Sequence, residues 1–177
     1  MQDWQLEEIT EEKKTIIENL LQYYFYELSV YFPRNIQEDG KYRKYTYLET
    51  YFKDSSRKAY FIKVKNQYAG FVFVNEYTVV AKENETKAIA EFFVLKQYRG
   101  EKLGTQVALN LFKGEDNWEV KVLNKNKEAM NFWKNVITEN YTQVKVTSLQ
   151  DTEEDWTVYN FSGKNVIQQP YKNVEKK

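Results

Sequence analysis

Apolar residues recur three and four positions apart at three places in the chain, which is the spacing of one face of a helix. This pattern predicts helices over about residues 11–29, 105–112 and 126–137. In the first of them, the expected inward-facing residues are Ile17, Leu20, Leu21, Tyr24 and Leu28. A fourth segment, over about 45–53, is predicted as a shorter helix, although its aromatic content also suits a strand.

Segments in which apolar and polar residues alternate predict the strands. A hairpin is expected over 58–80, with its turn at Asn66 and Gln67. The other predicted strands cover residues 3–9, 87–95, 118–123, 141–147 and 155–161. No internal repeat or linker interrupts these elements, so we predict a single α/β domain over residues 1–163. The remaining segment, 164–177, has few apolar residues and is expected to be a C-terminal tail.

The composition excludes several kinds of chemistry. The chain has 177 residues, about one domain by the usual range of roughly 100–200. It contains no Cys and no His, so disulfides, thiolate or imidazole metal sites, cysteine nucleophiles and Ser-His-Asp catalysis are excluded. Proton transfer must come from Asp, Glu, Lys, Tyr, water or a terminus. The 26 basic and 26 acidic residues cancel, which argues against a dedicated nucleic-acid-binding protein.

The start of the chain has the wrong charge for a secretory segment. Acidic residues outnumber lysines over the first twenty positions, whereas a signal peptide begins with basic residues followed by an uninterrupted apolar stretch. No run in the sequence approaches the roughly 18 apolar residues needed to span a bilayer. We therefore expect a cytoplasmic protein with no membrane partner.

A glycine-containing turn follows the most apolar stretch of the chain. Gly100 and Gly104 lie between a predicted strand and a predicted helix. This arrangement directs free backbone N–H groups at the helix N-terminus toward the space beyond the strand, where they suit a phosphate or pyrophosphate. The glycine spacing fits neither a Walker A loop nor a dinucleotide-binding fingerprint. A tight strand-to-helix connection without a ligand is the alternative interpretation.

The segment from Ala90 to Gly104, AEFFVLKQYRGEKLG, resembles the central motif of the GCN5-related N-acetyltransferases (GNAT). That motif is an apolar strand followed by Arg/Gln-x-x-Gly-x-Gly/Ala, in which the turn amides hold the pyrophosphate of coenzyme A. Arg99 matches its first position and Gly104 its last, whereas Lys102 stands where the family has a glycine. The resemblance implies a pyrophosphate site formed by Arg99, Gly100, Glu101, Lys102, Leu103, Gly104 and Thr105.

A second block, Asn126 to Trp133 (NKEAMNFW), is similar to the Asn-x-x-Ala-x-x-Phe-Tyr helix of the same family. By that resemblance Asn126 lies beside the coenzyme. The tyrosine that often protonates the departing thiolate is replaced by Trp133, whose indole has no usable acid at neutral pH. Its position on the apolar face of the helix favours a core role.

The resemblance covers about residues 3–161 and implies the fold. We expect a mixed, splayed central sheet of about six or seven strands, flanked by about four helices. The splay should lie between the strand that ends at Leu95 and the strand over 117–123. The pantetheine arm would enter it and hydrogen-bond to backbone groups near Phe93 and Val94.

Glu91 is the candidate catalytic residue. It lies in an otherwise apolar strand, and simple alternation places it on the same face as Ile89 and Phe93. In GNAT enzymes a Glu on this strand often takes the proton of the amine through a water, and an apolar environment would raise its pKa for that role. The alternative is a structural carboxylate paired with a basic side chain or backbone amides.

Two further clusters have both a structural and a functional interpretation. The aromatic residues Tyr23, Tyr24, Phe25, Tyr26, Tyr31 and Phe32 suit packing, or lining of the acceptor site. The acidic residues Asp151, Glu153, Glu154 and Asp155 suit a solvated turn between the closing strands, or attraction of a cationic acceptor.

The implied activity is transfer of an acetyl group from acetyl-CoA to a primary amine of a small molecule, protein or peptide, without a metal. A homodimer is among the expected assemblies. The alternative is an acyl-CoA-binding sensor or interaction domain without catalysis, which the departures at Lys102 and Trp133 keep open. A phosphate-ligand module unrelated to coenzyme A is a third interpretation.

Overall fold

The computed structural model describes residues 3–42, 44–82, 85–114, 116–151 and 154–168. In this part of the chain there are seven strands and three α-helices. The strands are β1 Trp4–Glu8, β2 Lys58–Val64, β3 Gln67–Asn75, β4 Thr86–Val94, β5 Asn117–Leu123, β6 Lys145–Gln150 and β7 Asp155–Ser162. The α-helices are α1 Lys14–Leu28, α2 Leu103–Leu111 and α3 Lys127–Thr138. Short 3-10 helices cover Glu11–Lys13, Leu48–Phe52 and Lys96–Tyr98.

The seven strands form one sheet in the order β1-β2-β3-β4-β5-β7-β6. All neighbouring pairs are antiparallel except β4 and β5, which are parallel. The α/β class and the mixed sheet predicted from the sequence are therefore confirmed.

Helices cover both faces of the sheet. On one face, Ile17, Leu21 and Phe25 of α1 pack against Phe71 and Phe73 of β3. On the other face, α2 and α3 pack against the central strands through residues such as Ala108, Trp133 and Ile137. Burial of these apolar side chains is the main stabilising contribution to the fold.

The segment predicted as a short helix over 45–53 forms a 3-10 helix over Leu48–Phe52. The described chain therefore has three α-helices rather than about four. Leu48 and Tyr51, three positions apart, are the buried residues of this segment. Because a 3-10 helix has three residues per turn, it places both side chains on the core side.

The returning strand of the hairpin ends at Asn75, earlier than the expected limit of 80. Beyond it, the backbone N–H groups of Val79, Val80 and Ala81 donate to the carboxylate of Glu119 at 2.6, 3.0 and 2.8 Å. These amides are bound by a side chain and not by a neighbouring strand, which explains the shorter hairpin.

The strand expected over 141–147 begins at Lys145 and continues to Gln150. Gln143 has φ of 57°, in the left-handed region, so a regular strand cannot pass through it. Tyr141 instead forms an isolated bridge with Val166.

The first residues of the predicted tail contact the domain. The N–H of Ile167 donates to the carbonyl of Asn140, and the N–H of Thr142 donates to that of Asn165. The rest of the predicted tail, from residue 169 onward, lies outside the described residues. Within the described ranges, no helix is long and apolar enough to cross a membrane.

Candidate active site

The parallel strands β4 and β5 separate partway along their length. They pair from Thr86 opposite Asn117 to Ile89 opposite Val120, and the pairing stops there. The last five residues of β4 therefore have no partner on the β5 side, although they still pair with β3 on the other side. This is the splay that the sequence predicted between these two strands.

A β-bulge lies beside the splay and changes the orientation of Glu91. Phe73 of β3 opposes Glu91, and the next residue, Val74, opposes Ile89, so Ala90 is the extra residue. A bulge reverses the alternation of side chains beyond it. Ile89 packs on the α2 and α3 side, whereas Glu91 and Phe93 face α1. The expectation that Glu91 shares a face with Ile89 was wrong, and its shared face with Phe93 is confirmed.

A cavity of about 420 Å³ occupies the splay and is lined from both faces of the sheet. On the α1 face its lining includes Tyr24, Leu28, Phe32, Arg34, Glu91 and Trp156. On the opposite face it includes Phe92, Val120, Val122, Asn126, Ala129 and Trp133. A ligand that enters from the α2–α3 face can therefore meet one that enters from the α1 face beside Glu91.

Glu91 is partly buried and hydrogen-bonded in the cavity wall. The hydroxyl of Tyr24 donates to Glu91 Oε2 at 2.6 Å. Burial raises the pKa of Glu91 above its usual value, and this outweighs the lowering by hydrogen bonds from Tyr24 and Tyr45 and by the charge of Arg34. Such a carboxyl group is closer to the pKa that suits a general base near neutral pH.

The two tyrosines beside Glu91 are strongly held in their neutral form. Burial, and then the nearby Glu91 carboxylate, raise the pKa of Tyr24 well above its usual value. The same two causes raise the pKa of Tyr45. Both hydroxyls therefore remain hydrogen-bond donors at neutral pH.

The glycine turn leads directly into α2, as the sequence predicted. The first intrahelical bond runs from the N–H of Gln106 to the carbonyl of Lys102. The N–H groups of Leu103, Gly104 and Thr105 precede it, so helix geometry gives them no acceptor within α2. This end of the helix carries the positive end of its dipole.

Lys102 adopts a conformation that normally favours glycine. Its φ is 61° and its ψ 13°, in the left-handed region, and Gly100 has φ of 87°. The turn therefore does require a left-handed residue at the position where the GNAT motif has glycine, and Lys102 provides it at a cost in strain. Gly104 serves a different purpose, because a Cβ there would lie 3.3 Å from the ring of Phe132.

The guanidinium of Arg99 is bound within the protein. Its Nε donates to the carbonyl of Val94 at 2.7 Å, and its Nη2 donates to Glu27 of α1 at 2.8 Å. A second carboxylate, of Glu128 in α3, lies 3.8 Å from Nη1. Arg99 thus connects α1, β4 and α3. No pattern in the sequence indicates Glu27 as its partner.

The backbone groups of Phe93 and Val94 point in opposite directions. A Cβ on Gly70 of β3 would collide with the Phe93 carbonyl oxygen, so that carbonyl faces β3. Successive residues of a strand direct their carbonyls to opposite edges, which places the Val94 carbonyl on the side of the splay. That oxygen is the one that accepts from Arg99.

Asn126 begins α3 and lies in the cavity wall. Its side-chain oxygen accepts a hydrogen bond from the N–H of Ala129 at 3.0 Å, which caps the helix. The side-chain amide donors of Asn126 are not used in this cap. Asn126 is therefore fixed in place at the point where α3 meets the cavity.

A family model for the acetyltransferase (GNAT) family matches residues 17–136, well over half of the chain. The chain belongs to the GNAT family. No curated protein matches it in sequence. The match includes β4 and most of α3, which both contribute to the cavity lining, and the glycine turn that connects β4 to α2.

Solved structures agree with the GNAT fold. An acetyltransferase from Thermus thermophilus is 16% identical, with a TM-score of 0.64, covering 92% of this chain and 99% of that one. The spermidine N-acetyltransferase from Vibrio cholerae, in complex with CoA and spermine, is 11% identical, with a TM-score of 0.60 and coverages of 92% and 96%. The GNAT domain of S. lividans PAT is 10% identical, with a TM-score of 0.56 and 89% of each chain covered.

Trp133 occupies the position of the usual GNAT tyrosine and is part of the core. It is 6% exposed and packs against the rings of Phe92, Phe112 and Phe132. This agrees with the structural interpretation of Trp133 drawn from the sequence.

Glu119 is a second carboxylate in the cavity wall of this GNAT domain, and the sequence did not indicate it as a site residue. Burial acts to raise the pKa of Glu119, but donors from Val79, Asn160, Ala81 and Val80 hold it below its usual value. Glu119 is therefore a buried anion with its hydrogen bonds satisfied. Its signal in the sequence, an acidic residue within an apolar strand, is the same as that of Glu91.

The structure shows the positions of most residues in the aromatic cluster near α1 and in the acidic stretch that leads into β7. Phe25 belongs to the core and Tyr24 and Phe32 line the cavity, whereas Tyr23 and Tyr26 are exposed. In the acidic stretch, Glu154 pairs with Lys125 at 2.9 Å, and Asp151 accepts from the indole of Trp156 at 2.8 Å. Glu153 lies outside the described residues.

Within the described part of the chain, no group of three or more acidic side chains is arranged to hold a metal ion.

Proposed function

We propose that this GNAT protein transfers an acetyl group from acetyl-CoA to a primary amine. The observation that supports this most directly is the cavity in the splay, which is lined from both faces of the sheet. Acetyl transfer needs two substrates that meet at one point while their larger parts remain separate. The splay provides that arrangement, with Glu91 on the α1 side of the meeting point.

The coenzyme would bind on the α2–α3 side. The N–H groups of Leu103, Gly104 and Thr105 would hold the pyrophosphate, because they lack acceptors within the helix and lie at its positive end. Asn126 would lie along the pantetheine arm. Since Arg99 already binds Glu27, its role would be to hold the elements around the coenzyme rather than to neutralise phosphate.

The reaction would proceed by direct attack. The nitrogen of the amine forms a bond to the thioester carbon, the bond to sulfur breaks, and coenzyme A leaves as the thiolate. Glu91, directly or through a water, would take the proton that the nitrogen loses. An alkyl thiol has a pKa of roughly 8.5, so departure as the thiolate is feasible without the tyrosine that Trp133 replaces.

Coenzyme binding is tested by thermal unfolding with and without acetyl-CoA. A ligand at 100 times its dissociation constant stabilises the folded state by about 2.7 kcal/mol, so the melting temperature should rise. Gly104→Asp places a negative charge among the turn amides and should abolish the rise. Gly104→Ala tests the added Cβ alone, and Asn110→Asp, on the exposed side of α2, tests the added charge alone. Both controls should retain the rise.

Catalysis is tested separately by release of free thiol from acetyl-CoA with a panel of primary amines. The panel should include spermidine and spermine, since a spermidine N-acetyltransferase is among the similar structures. Thiol release that depends on the amine supports the enzyme. If acetyl-CoA stabilises the protein and no amine is acetylated, the function is that of a non-catalytic acyl-CoA-binding domain. Two observations favour that alternative. Arg99 is bound to Glu27 and so is not available to the coenzyme, and Trp133 replaces the tyrosine.

A further inference from the structure

The acceptor side of the cavity contains two basic side chains. Arg34 follows α1, and Lys121 lies on β5 beyond the point where β5 leaves β4. Both line the cavity that contains Glu91. Positive charge beside a base is unexpected for a site that receives an ordinary cationic amine, because like charges repel.

Aromatic rings position both cations. The guanidinium of Arg34 lies 5.3 Å from the centre of the Phe25 ring, and the ammonium of Lys121 lies 4.0 Å from that of Trp156. Trp156 stacks on Phe32 with ring centres 6.3 Å apart. These contacts hold the side chains at the cavity and leave their polar hydrogens available to a ligand.

The two cations differ in how closely a carboxylate approaches them. Among the described residues, Arg34 forms no ion pair, although its charge lowers the pKa of Glu91. The carboxylate of Asp151 lies 4.0 Å from Lys121 and accepts a shorter bond from Trp156. Arg34 is therefore the stronger candidate for binding an anion from the ligand.

The described cavity lining has no available carboxylate to bind a second ammonium group of the acceptor. In the described lining, the carboxylates are Glu91 and Glu119. Glu119 is saturated by three backbone N–H groups and the amide of Asn160. Glu91 binds Tyr24 and would be needed for the proton of the reacting amine. A diamine would therefore bury its second charge beside Arg34 without a partner.

We propose that the acceptor is a small primary amine that also carries an anionic group, a carboxylate or a phosphate, which Arg34 binds with support from Lys121. This rests on the proposed acetyltransferase function and names its substrate class. The guanidinium can bind either anion through two parallel hydrogen bonds. The positive charge would also favour the neutral form of the amine, which is the form that attacks the thioester.

The test uses acceptors matched in length that differ only at the far end. Each alkyl chain from ethyl to hexyl is offered as the amino acid, the aminoalkyl phosphate, the amino alcohol and the diamine. With wild-type protein, kcat/KM should be at least tenfold higher for an anionic acceptor than for the alcohol, and lowest for the diamine. The two anionic series distinguish carboxylate from phosphate.

Variants at Arg34 identify the residue that selects the charge. Arg34→Gln should lower kcat/KM for the anionic acceptor about tenfold to a hundredfold, the effect of losing a hydrogen bond to a charged group. The alcohol should be affected much less, because it loses only the influence of the Arg34 charge on Glu91. Arg34→Lys should restore part of the loss, and Arg34→Glu should shift the preference toward the diamine. Preference of the wild type for the diamine or the alcohol would overturn the proposal. An equal loss on all acceptors in Arg34→Gln would do so as well.

Calorimetric binding of the aminoalkyl phosphate and the amino acid to the CoA-loaded protein separates the two proposals. If an anionic probe binds in an Arg34-dependent manner and no acceptor is acetylated, the anion site stands and the proposed reaction fails. If amines are acetylated without charge preference, the reaction stands and the anion site fails. If no anionic probe binds and none is acetylated, the anion site is rejected.

Discussion

The hydroxyl of Tyr24 donates a 2.6 Å hydrogen bond to Oε2 of Glu91. It connects helix α1 to the bulged part of β4 through two residues that are 67 positions apart in the chain. The tyrosine stays neutral, because burial and the adjacent carboxylate raise its pKa. It therefore fixes the orientation of Glu91 and stabilises the charged form of that carboxylate, which is the form that accepts a proton.

Tyr24→Phe removes this donor and keeps the ring. The charged form of Glu91 then loses a stabilising hydrogen bond, so the pKa of Glu91 rises further above its usual value. Since the base must be deprotonated, the rising limb of the pH–kcat/KM profile should move to higher pH. Measurement with a single acceptor keeps the titration of the amine itself constant between variants.

Tyr26→Phe is the matched control, because Tyr26 lies on the exposed side of the same helix. It should leave the profile unchanged. A Tyr24→Phe limb that coincides with the wild type would mean that Glu91 does not set the pH dependence.

Glu91→Gln should stabilise the folded protein at neutral pH. Burial raises the folded-state pKa of Glu91 above its unfolded value, so the folded state holds the proton more tightly. The stability that this proton contributes is fully present below the unfolded pKa and is lost as pH rises through the folded pKa. The melting temperature of Glu91→Gln should therefore exceed that of the wild type at neutral pH. The difference should shrink as pH falls toward 4.5. A difference independent of pH would contradict the raised pKa.

Lys102→Gly should stabilise the protein, although glycine within a helix usually weakens it. The left-handed conformation of Lys102 costs roughly 1–2 kcal/mol, which exceeds the extra flexibility of glycine in the unfolded chain, roughly 0.5–1 kcal/mol. The free energy of unfolding, from denaturant titration, should rise by about 0.5 kcal/mol. The variant should still be stabilised by acetyl-CoA, because its turn keeps the same backbone.

Lys134→Gly makes the same chemical change at an exposed, right-handed position within α3. It should lower the free energy of unfolding by about 1 kcal/mol. Equal destabilisation by Lys102→Gly and Lys134→Gly would show that the turn does not hold residue 102 in the left-handed region.

The sequence was sufficient to predict most of the elements and the strand–turn–helix unit from β4 to α2, because these depend on local patterns. The bulge at Ala90 was not predictable from alternation. Bulges arise from pairing with a neighbouring strand, so they leave no pattern within the strand itself. For this reason the face of Ile89 was assigned incorrectly relative to Glu91.

Long-range partners account for the remaining differences. Glu119 binds amides about 40 positions away and ends the hairpin early, and Glu27 binds Arg99 across 72 positions. Nothing near either residue in the chain indicates its partner. The unusual position of Lys102 was visible as a departure from the family motif, but only the backbone angles identify it as a strained left-handed residue.

The most direct test of the central claim is the comparison of Glu91→Gln with wild type in turnover and in coenzyme binding. With an accepted amine and saturating acetyl-CoA, the rate of thiol release should fall by about 10²–10⁴, the usual contribution of a general base. The dissociation constant for acetyl-CoA should hardly change, because Glu91 faces α1 and the coenzyme would bind on the opposite face. Full turnover by Glu91→Gln on the same amine, with unchanged coenzyme binding, would contradict the assignment of Glu91 as the base.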